Sequence, residues 1–220
     1  MIQTVTKQIG VTMLLCLFML GAAPASGQTA SNEELRREWL TIQSSSDRRL
    51  QAAWWRELDI HKMRRLADAG VLLDVRDKRG WTPLHSAARF NTDSRILVIL
   101  LDGGADVHAK DKAGDTPLHW AAAQNTNVQV VRELISAGAD VNAVDRYGWL
   151  PIHTAVESNA NPDIARELLD SGSHRHRRAY FLLFGPRFLL RHNPNMSKHD
   201  KLKLLEELKS QKAETAATVS

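Results

Sequence analysis

The sequence predicts an all-α fold, a linear solenoid of helical pairs in which three clear repeats lie between divergent N- and C-terminal caps. Two observations lead to this prediction. The 220-residue chain matches itself twice at a spacing of 34 residues, a period typical of stacked repeats. In each copy, a proline precedes one apolar segment. In two copies, a second apolar segment is followed by Gly-Ala-Asp. With 25% charged and 43% hydrophobic residues, the composition is that of an ordinary soluble protein.

The self-match begins at an aspartate in each copy. The three copies read DKRGWTPLHSAA at residues 77–88, DKAGDTPLHWAA at 111–122 and, more weakly, DRYGWLPIHTA at 145–155. An apolar second segment and a glycine follow each copy. A twelve-residue pattern that returns in phase indicates three copies of one structural unit.

Local physical chemistry predicts a helix-turn-helix in each unit. Thr82 can cap the first helix, and Pro83 suits the first helical position, where a missing amide hydrogen has no cost. Gly104 and Gly138 are expected just after the second helix, because glycine adopts a left-handed backbone readily. Each unit is apolar on both stacking sides, so it is stable only between neighbours.

These motifs resemble the ankyrin repeat, whose Thr-Pro-Leu-His-x-Ala signature returns at about 33 residues. The extra residue per unit is placed most simply in the loop between the helices, as in Asn91-Thr92-Asp93. The resemblance implies that the signature residues are structural and that their histidines tie adjacent repeats together through backbone hydrogen bonds. These residues are Thr82, Pro83, His85, Thr116, Pro117, His119, Pro151 and His153.

The 34-residue step also locates the caps. Leu50, Ala53 and Gly70 align with Leu84, Ala87 and Gly104, which predicts a degenerate first repeat, and Asn193 aligns with Asn159. The predicted organisation is a signal peptide at 1–27, a helix at 28–43, a degenerate capping repeat at 44–76, ankyrin repeats at 77–110, 111–144 and 145–178, a divergent cap at 179–210 and a disordered tail at 211–220.

The N-terminus has the pattern of a secretory signal. Lys7 is the only charge before Glu33, residues 9–20 are almost entirely apolar, and small residues follow. Cleavage is expected after Gly27 or Ala25, and an uncleaved anchor is the alternative. The only cysteine lies at position 16, inside the apolar run, so no disulfide framework is available to an exported chain. We therefore expect an exported protein, periplasmic or secreted.

Residues 173–192 break the repeat where a fourth signature should stand. The segment has five arginines, three histidines and no acid. It fits a diverged capping repeat, a local reading-frame slip in the gene, or a functional basic and aromatic patch. Residues 28–171 carry 18 basic and 21 acidic side chains, whereas residues 172–220 carry 10 and 4. The basic end could meet a membrane surface or an acidic partner.

The candidate catalytic and metal-binding groups have structural explanations. His85, His119 and His153 are expected in successive repeats about 10 Å apart, which is too far for three ligands of one ion. Asp77, Asp111 and Asp145 fall at turns, where such residues stabilise the backbone. No nucleophile or phosphate-loop motif is present. The sequence therefore predicts no cofactor, no metal and no enzymatic activity.

The variable positions of the repeat are then the candidate binding residues. In proteins with this repeat, the turn tips and the start of the first helix form a concave face that contacts another protein. Large aromatic residues and arginine on an exposed face are typical of binding hot spots. The candidates are Arg79, Trp81, Phe90, Asp115, Arg146, Tyr147 and Trp149, and Arg89 is a further variable position. The alternative is that the aromatic rings pack the turn against its neighbour.

The predicted function is a monomeric, non-enzymatic scaffold that binds another protein and no nucleic acid. The alternative is an effector or membrane-associated factor that acts through residues 173–220.

Overall fold

A computed structural model of the protein describes the backbone of residues 32–173 and 190–217 and the side chains of residues 32–173 and 190–207. The predicted signal segment at 1–27 and most of the Arg-rich segment at 173–192 lie outside these residues. Regular secondary structure within the described ranges is helical throughout, which confirms the predicted all-α class. The helices are α1 Asn32–Ser44, α2 Arg48–Glu57, α3 Ile60–Asp68, α4 Pro83–Phe90, α5 Ser94–Asp102, α6 Pro117–Gln124, α7 Val128–Ser136, α8 Pro151–Ser158, α9 Pro162–Asp170 and α10 Lys198–Ala217.

The helices form two stacked rows. The inner row is α2, α4, α6 and α8, and each of these helices contacts the next. The outer row runs through α1, α3, α5, α7, α9 and α10 in the same way. Leu84, Leu118 and Ile152 occupy one signature position in three inner helices, and all three are fully buried. One continuous apolar core therefore joins the repeats.

The outer helices α3, α5, α7 and α9 end at glycines with a left-handed backbone, as predicted for Gly104 and Gly138. In the first full repeat, the Ala105 amide donates to the Leu100 carbonyl at 3.0 Å, and the Gly104 amide donates to the Leu101 carbonyl at 2.9 Å. Gly104 has a φ of 89°, which a residue with a Cβ adopts only at a cost. Gly70, with a φ of 68°, ends α3 in the same way. The degenerate first repeat is thus a full helix pair.

A ladder of buried asparagines links the loops between inner and outer helices. The side-chain amide of Asn125 donates to the carbonyls of Ala88 and Asn91, both at 2.8 Å. Asn159 and Asn193 repeat this pattern one and two units later. Each amide satisfies a carbonyl in the last turn of the preceding inner helix, which has no partner within that helix.

Different side chains close the two ends of the described stack. At the N-terminal end, Trp39, Trp54 and Trp55 pack edge to face with ring centroids 5.2–5.9 Å apart. At the other end, the Arg166 guanidinium pairs with Glu207 of α10 at 2.9 Å.

Helix α10 runs to Ala217, although the sequence predicts a disordered tail from Gln211. No glycine or proline interrupts the chain after Ser197. The Lys, Glu, Gln and Ala residues that fill this stretch are strong helix formers.

Candidate binding face

The hairpin tips between repeats are held by aspartates. Asp77 Oδ1 accepts from the amides of Arg79 and Trp81 at 2.8 and 2.9 Å. Asp111 and Asp145 accept in the same way at the next two tips. These contacts agree with the structural role that the sequence predicts for the three aspartates.

Neighbouring tips are also joined directly through their backbones. The Lys112 amide donates to the Arg79 carbonyl at 2.8 Å, and the Arg146 amide donates to the Ala113 carbonyl at 3.0 Å. Gly114, with a φ of 85°, lies against the second of these contacts, and a Cβ there would come within 2.9 Å of the Arg146 nitrogen. The side chains at the tips are therefore presented from a rigid backbone.

Two of the signature histidines, His85 and His119, tie adjacent repeats together, as the resemblance implies. The Thr82 amide donates to His85 Nδ1 at 3.1 Å, so the other ring nitrogen carries the hydrogen. That nitrogen, Nε2, donates to the Asp115 carbonyl of the next repeat at 3.1 Å. His119 bonds to the Trp149 carbonyl in the same way, at 3.2 Å. Burial lowers the pKa of His85 to about 4, so the ring is neutral near pH 7.

The helix starts differ in one detail from the prediction. The Thr82 and Thr116 hydroxyls lie 2.8 and 2.9 Å from the histidine Nδ1 atoms and make no separate side-chain cap bond. Pro83, Pro117 and Pro151 occupy the first helical positions as expected.

In the third repeat, a leucine stands in place of the threonine, and its backbone amide keeps the contact with the histidine. Leu150 precedes the helix, and its amide donates to His153 Nδ1 at 2.9 Å. The histidine therefore keeps the same local role when a leucine replaces the threonine.

Trp81 is buried, so its expected exposure at the tip is wrong. Only 3% of the residue is accessible. Its indole nitrogen donates to Asp111 Oδ2 at 3.0 Å, and its ring packs against Trp120 with centroids 4.5 Å apart. The Trp120 indole donates to the same Asp111 oxygen at 3.1 Å. The ring of the first repeat is thus covered by a ring of the second.

The other candidates fall into two groups. Arg146 and Tyr147 are exposed at the third tip, the latter at 56%. Trp149 and Phe90 are partly buried and pack against the core. Arg79 pairs with Asp77 at 2.7 Å and also donates to Gln51.

Arginines and aromatic rings form one cluster on the inner row, named here the arginine–aromatic cluster: Arg56, Arg79, Trp81, Arg89, Phe90 and Trp120. The Arg89 guanidinium lies 4.4 Å from the Trp120 ring centroid, 5.2 Å from that of Trp81 and 5.0 Å from that of Phe90. Arg79 lies 4.0 Å from the Trp81 ring, and Arg56 lies 5.5 Å from the Phe90 ring. The cluster joins the degenerate repeat to the first two full repeats.

Two members of this cluster, Arg56 and Trp120, are not among the candidate binding positions that the sequence indicates, although the sequence contains a signal for each. Arg56 lies one period before Phe90. Trp120 occupies the variable position of its signature, where the other repeats have Ser86 and Thr154. Comparison of equivalent positions across repeats would have placed both next to predicted residues.

Acidic residues follow the arginine–aromatic cluster along this face. Asp115 is partly buried, and desolvation, with Asp111 and Asp145 nearby, raises its pKa to about 7. Burial also raises the pKa of Glu157. The inner helices therefore carry arginines in the first repeats and Glu157 in the third, while Arg146 is exposed at the third tip.

The described residues offer no built metal site. Nowhere in the described ranges do three His, Cys, Asp or Glu side chains come together as an ion would require. The helices in these ranges are also too short or too polar for any of them to span a bilayer.

Comparison with known protein families agrees with the repeat geometry. A family model of ankyrin repeats in three copies matches residues 88–178. A second, of ankyrin repeats in many copies, matches residues 52–101 and so includes part of the degenerate repeat. A comparison with curated proteins finds no match. The chain belongs to the ankyrin-repeat family, and its repeats form a protein–protein interaction module.

Proposed function

We propose that this chain is an exported, non-enzymatic and monomeric scaffold that binds another protein through the face formed by the hairpin tips and the inner helices. The observation that carries the proposal is the third tip. Asp145 and the Ala113 carbonyl fix its backbone, while the Arg146 and Tyr147 side chains remain exposed. A tyrosine on a rigid backbone loses little conformational entropy on binding, which favours affinity.

The proposal of export rests on the N-terminal sequence. A charge at Lys7, an apolar run and small residues before Gln28 are typical of a cleaved secretory signal. Intact-mass analysis of the exported protein should give a chain that begins at Ser26 or Gln28. A full-length chain that starts at Met1 and occurs only in the cytoplasm would contradict the export.

Site-specific photo-crosslinking tests the binding face. A photoreactive phenylalanine analogue would replace Tyr147 at the third tip, Arg95 on outer helix α5, or Leu202 on α10. The native side chains at these positions are similarly exposed, at 56%, 68% and 55%. We expect a discrete adduct with another protein from position 147 and none from position 95.

The third position separates the proposal from its sequence alternative. An adduct from position 202 alone would favour an activity in the C-terminal segment and contradict binding through the tips. Equal adducts from all three positions would show nonspecific contact and would also contradict it.

A further inference from the structure

A pocket opens on the inner row beside the arginine–aromatic cluster. It has a volume of about 380 Å³ and lies where α4 and α6 end. Its walls include Arg56, Arg89, Phe90, Thr92, Gln124 and Thr126. The pocket is therefore bounded by the degenerate repeat and the first two full repeats.

The arginines of this pocket contact aromatic rings but no carboxylate within the described part of the chain. Neither Arg56 nor Arg89 forms an ion pair there, and neither does Arg48. Burial, together with the nearby Arg79, Arg48 and Arg56, lowers the pKa of Arg89 to about 10. The guanidinium is thus partly removed from water among like charges, where a bound anion would be strongly stabilising.

The polar groups that line the pocket are mainly hydrogen-bond donors. Arg89 uses its Nε to donate to Gln124 Oε1 at 2.9 Å, so the terminal nitrogens of its guanidinium and the Gln124 NH₂ are further donors in the pocket lining. Thr92 and Thr126 add hydroxyl groups at the rim. A group of donors around a desolvated arginine, with the Phe90 ring on one side, suits a carboxylate on a short carbon stem.

Glu157, further along the inner row, limits which charged ligands can bind across the face. Glu157 occupies the position of Arg89 two repeats later, and a spacing of about 10 Å per repeat places it on the order of 20 Å away. A nucleic acid or another extended polyanion would meet the negative charge of Glu157 unfavourably. A segment of about six extended residues spans this distance, and only its end near Arg89 needs to be negative.

From this arrangement we infer that the pocket between Arg56 and Arg89 binds an acidic segment of the partner protein, with an Asp or Glu carboxylate on Arg89. The inference rests on the proposed function and identifies the chemistry of the partner at that same face. It also predicts the order of charges along the bound segment. The acidic residues lie at the first repeats, and the neutral or basic residues lie toward Glu157.

A titration with a defined peptide tests this inference. The probe is a blocked hexapeptide of three glutamates and three glycines, with a rhodamine label at the glycine end, measured by fluorescence anisotropy at about 0.1 M salt. We expect saturable binding that Arg89→Gln weakens at least tenfold and Arg56→Gln weakens several-fold. Arg95→Gln is the matched control, because it removes one exposed positive charge from the outer row, and it should change the affinity less than twofold.

Several outcomes would overturn the inference. They are the absence of saturable binding, equal weakening by Arg89→Gln and Arg95→Gln, or tighter Arg89-dependent binding of a single-stranded DNA oligonucleotide than of the peptide. Arg56→Gln keeps the test valid if Arg89→Gln unfolds, since Arg56 is exposed and contacts only the Phe90 ring among the described interactions. A failed titration alongside an adduct from position 147 would remove this inference alone. Failure of both would remove the proposed binding face as well.

Discussion

The side-chain amide of Asn193 donates to the backbone carbonyl of Asn159, 34 residues earlier, at 2.9 Å. It also donates to the Val156 carbonyl at 3.1 Å. These bonds reproduce those of Asn159 to Asn125 and Ala122 in the preceding unit. The repeat register therefore continues into the C-terminal cap, on the far side of the Arg-rich segment that breaks the sequence pattern.

The asparagine ladder leads to a first prediction. Asn125→Ala would leave the carbonyls of Ala88 and Asn91 without a partner in a buried site, and each such group costs about 1–3 kcal/mol. We expect a loss of at least about 2 kcal/mol in the free energy of unfolding, measured by urea denaturation. Gln129→Ala, on the exposed side of α7, should change this free energy by less than about 0.5 kcal/mol. Similar losses in the two variants would contradict a structural role for the ladder.

The burial of Trp81 leads to a second prediction. Trp81→Ala removes a ring packed on Trp120 and a donor to Asp111, and truncation of a buried aromatic residue costs about 3–5 kcal/mol. Trp149→Ala removes a ring that is only partly buried, so its loss of unfolding free energy should be smaller. Urea denaturation of the two variants gives the comparison. A larger loss for Trp149→Ala would contradict the assignment of Trp81 to the core.

The close approach of the hairpin tips leads to a third prediction. Gly114→Ala and Gly138→Ala share the cost of a left-handed backbone, about 1–2 kcal/mol, because their φ angles are 85° and 93°. Only at Gly114 would the new Cβ meet backbone, whereas nothing lies within 4 Å at Gly138. Gly114→Ala should therefore lower the melting temperature further. Equal melting temperatures would mean that the tips do not pack as closely as described.

The raised pKa of Asp115 leads to a fourth prediction. Its folded pKa of about 7 lies above the ordinary value of 3.8, so the unfolded chain loses this proton first as the pH rises. Its stabilising contribution is therefore present at low pH and is lost as the pH rises from about 4 to about 7. Asp115→Asn removes this loss, so the stability of the variant relative to wild type should increase across that range.

Titration of the buried histidines changes the stability in the opposite direction with pH. These histidines are present in both wild type and Asp115→Asn. The lowered pKa of His85 makes its contribution disappear as the pH falls from its ordinary value of 6.5 toward about 4. The wild-type curve alone therefore mixes the two effects, and the difference between variant and wild type isolates Asp115. Parallel stability curves from pH 4 to pH 7 would contradict the raised pKa.

The sequence predicts the features that recur with the repeat signature and misses those that depend on which side chain a neighbouring repeat supplies. The role of His85 follows from its signature, and the degenerate repeat follows from a step of 34 residues. The burial of Trp81 could not be predicted from its own repeat, because the ring that covers it is Trp120 of the next. Asp115 and Trp149 occupy the position equivalent to Trp81 in their own repeats. Their surroundings differ because a second repeat position, at residues 86, 120 and 154, is Ser, Trp and Thr.

The most direct test of the account is a paired measurement on Tyr147→Ala. In the proposed scaffold, this exposed side chain contributes to binding and the buried signature residues contribute to folding, so the two effects should separate. For the partner identified by crosslinking, isothermal titration should show an affinity loss of about 2 kcal/mol, close to thirtyfold. Thermal unfolding of the same variant should be nearly unchanged. Lost stability with unchanged affinity would contradict the account and assign the ring to packing of the tip.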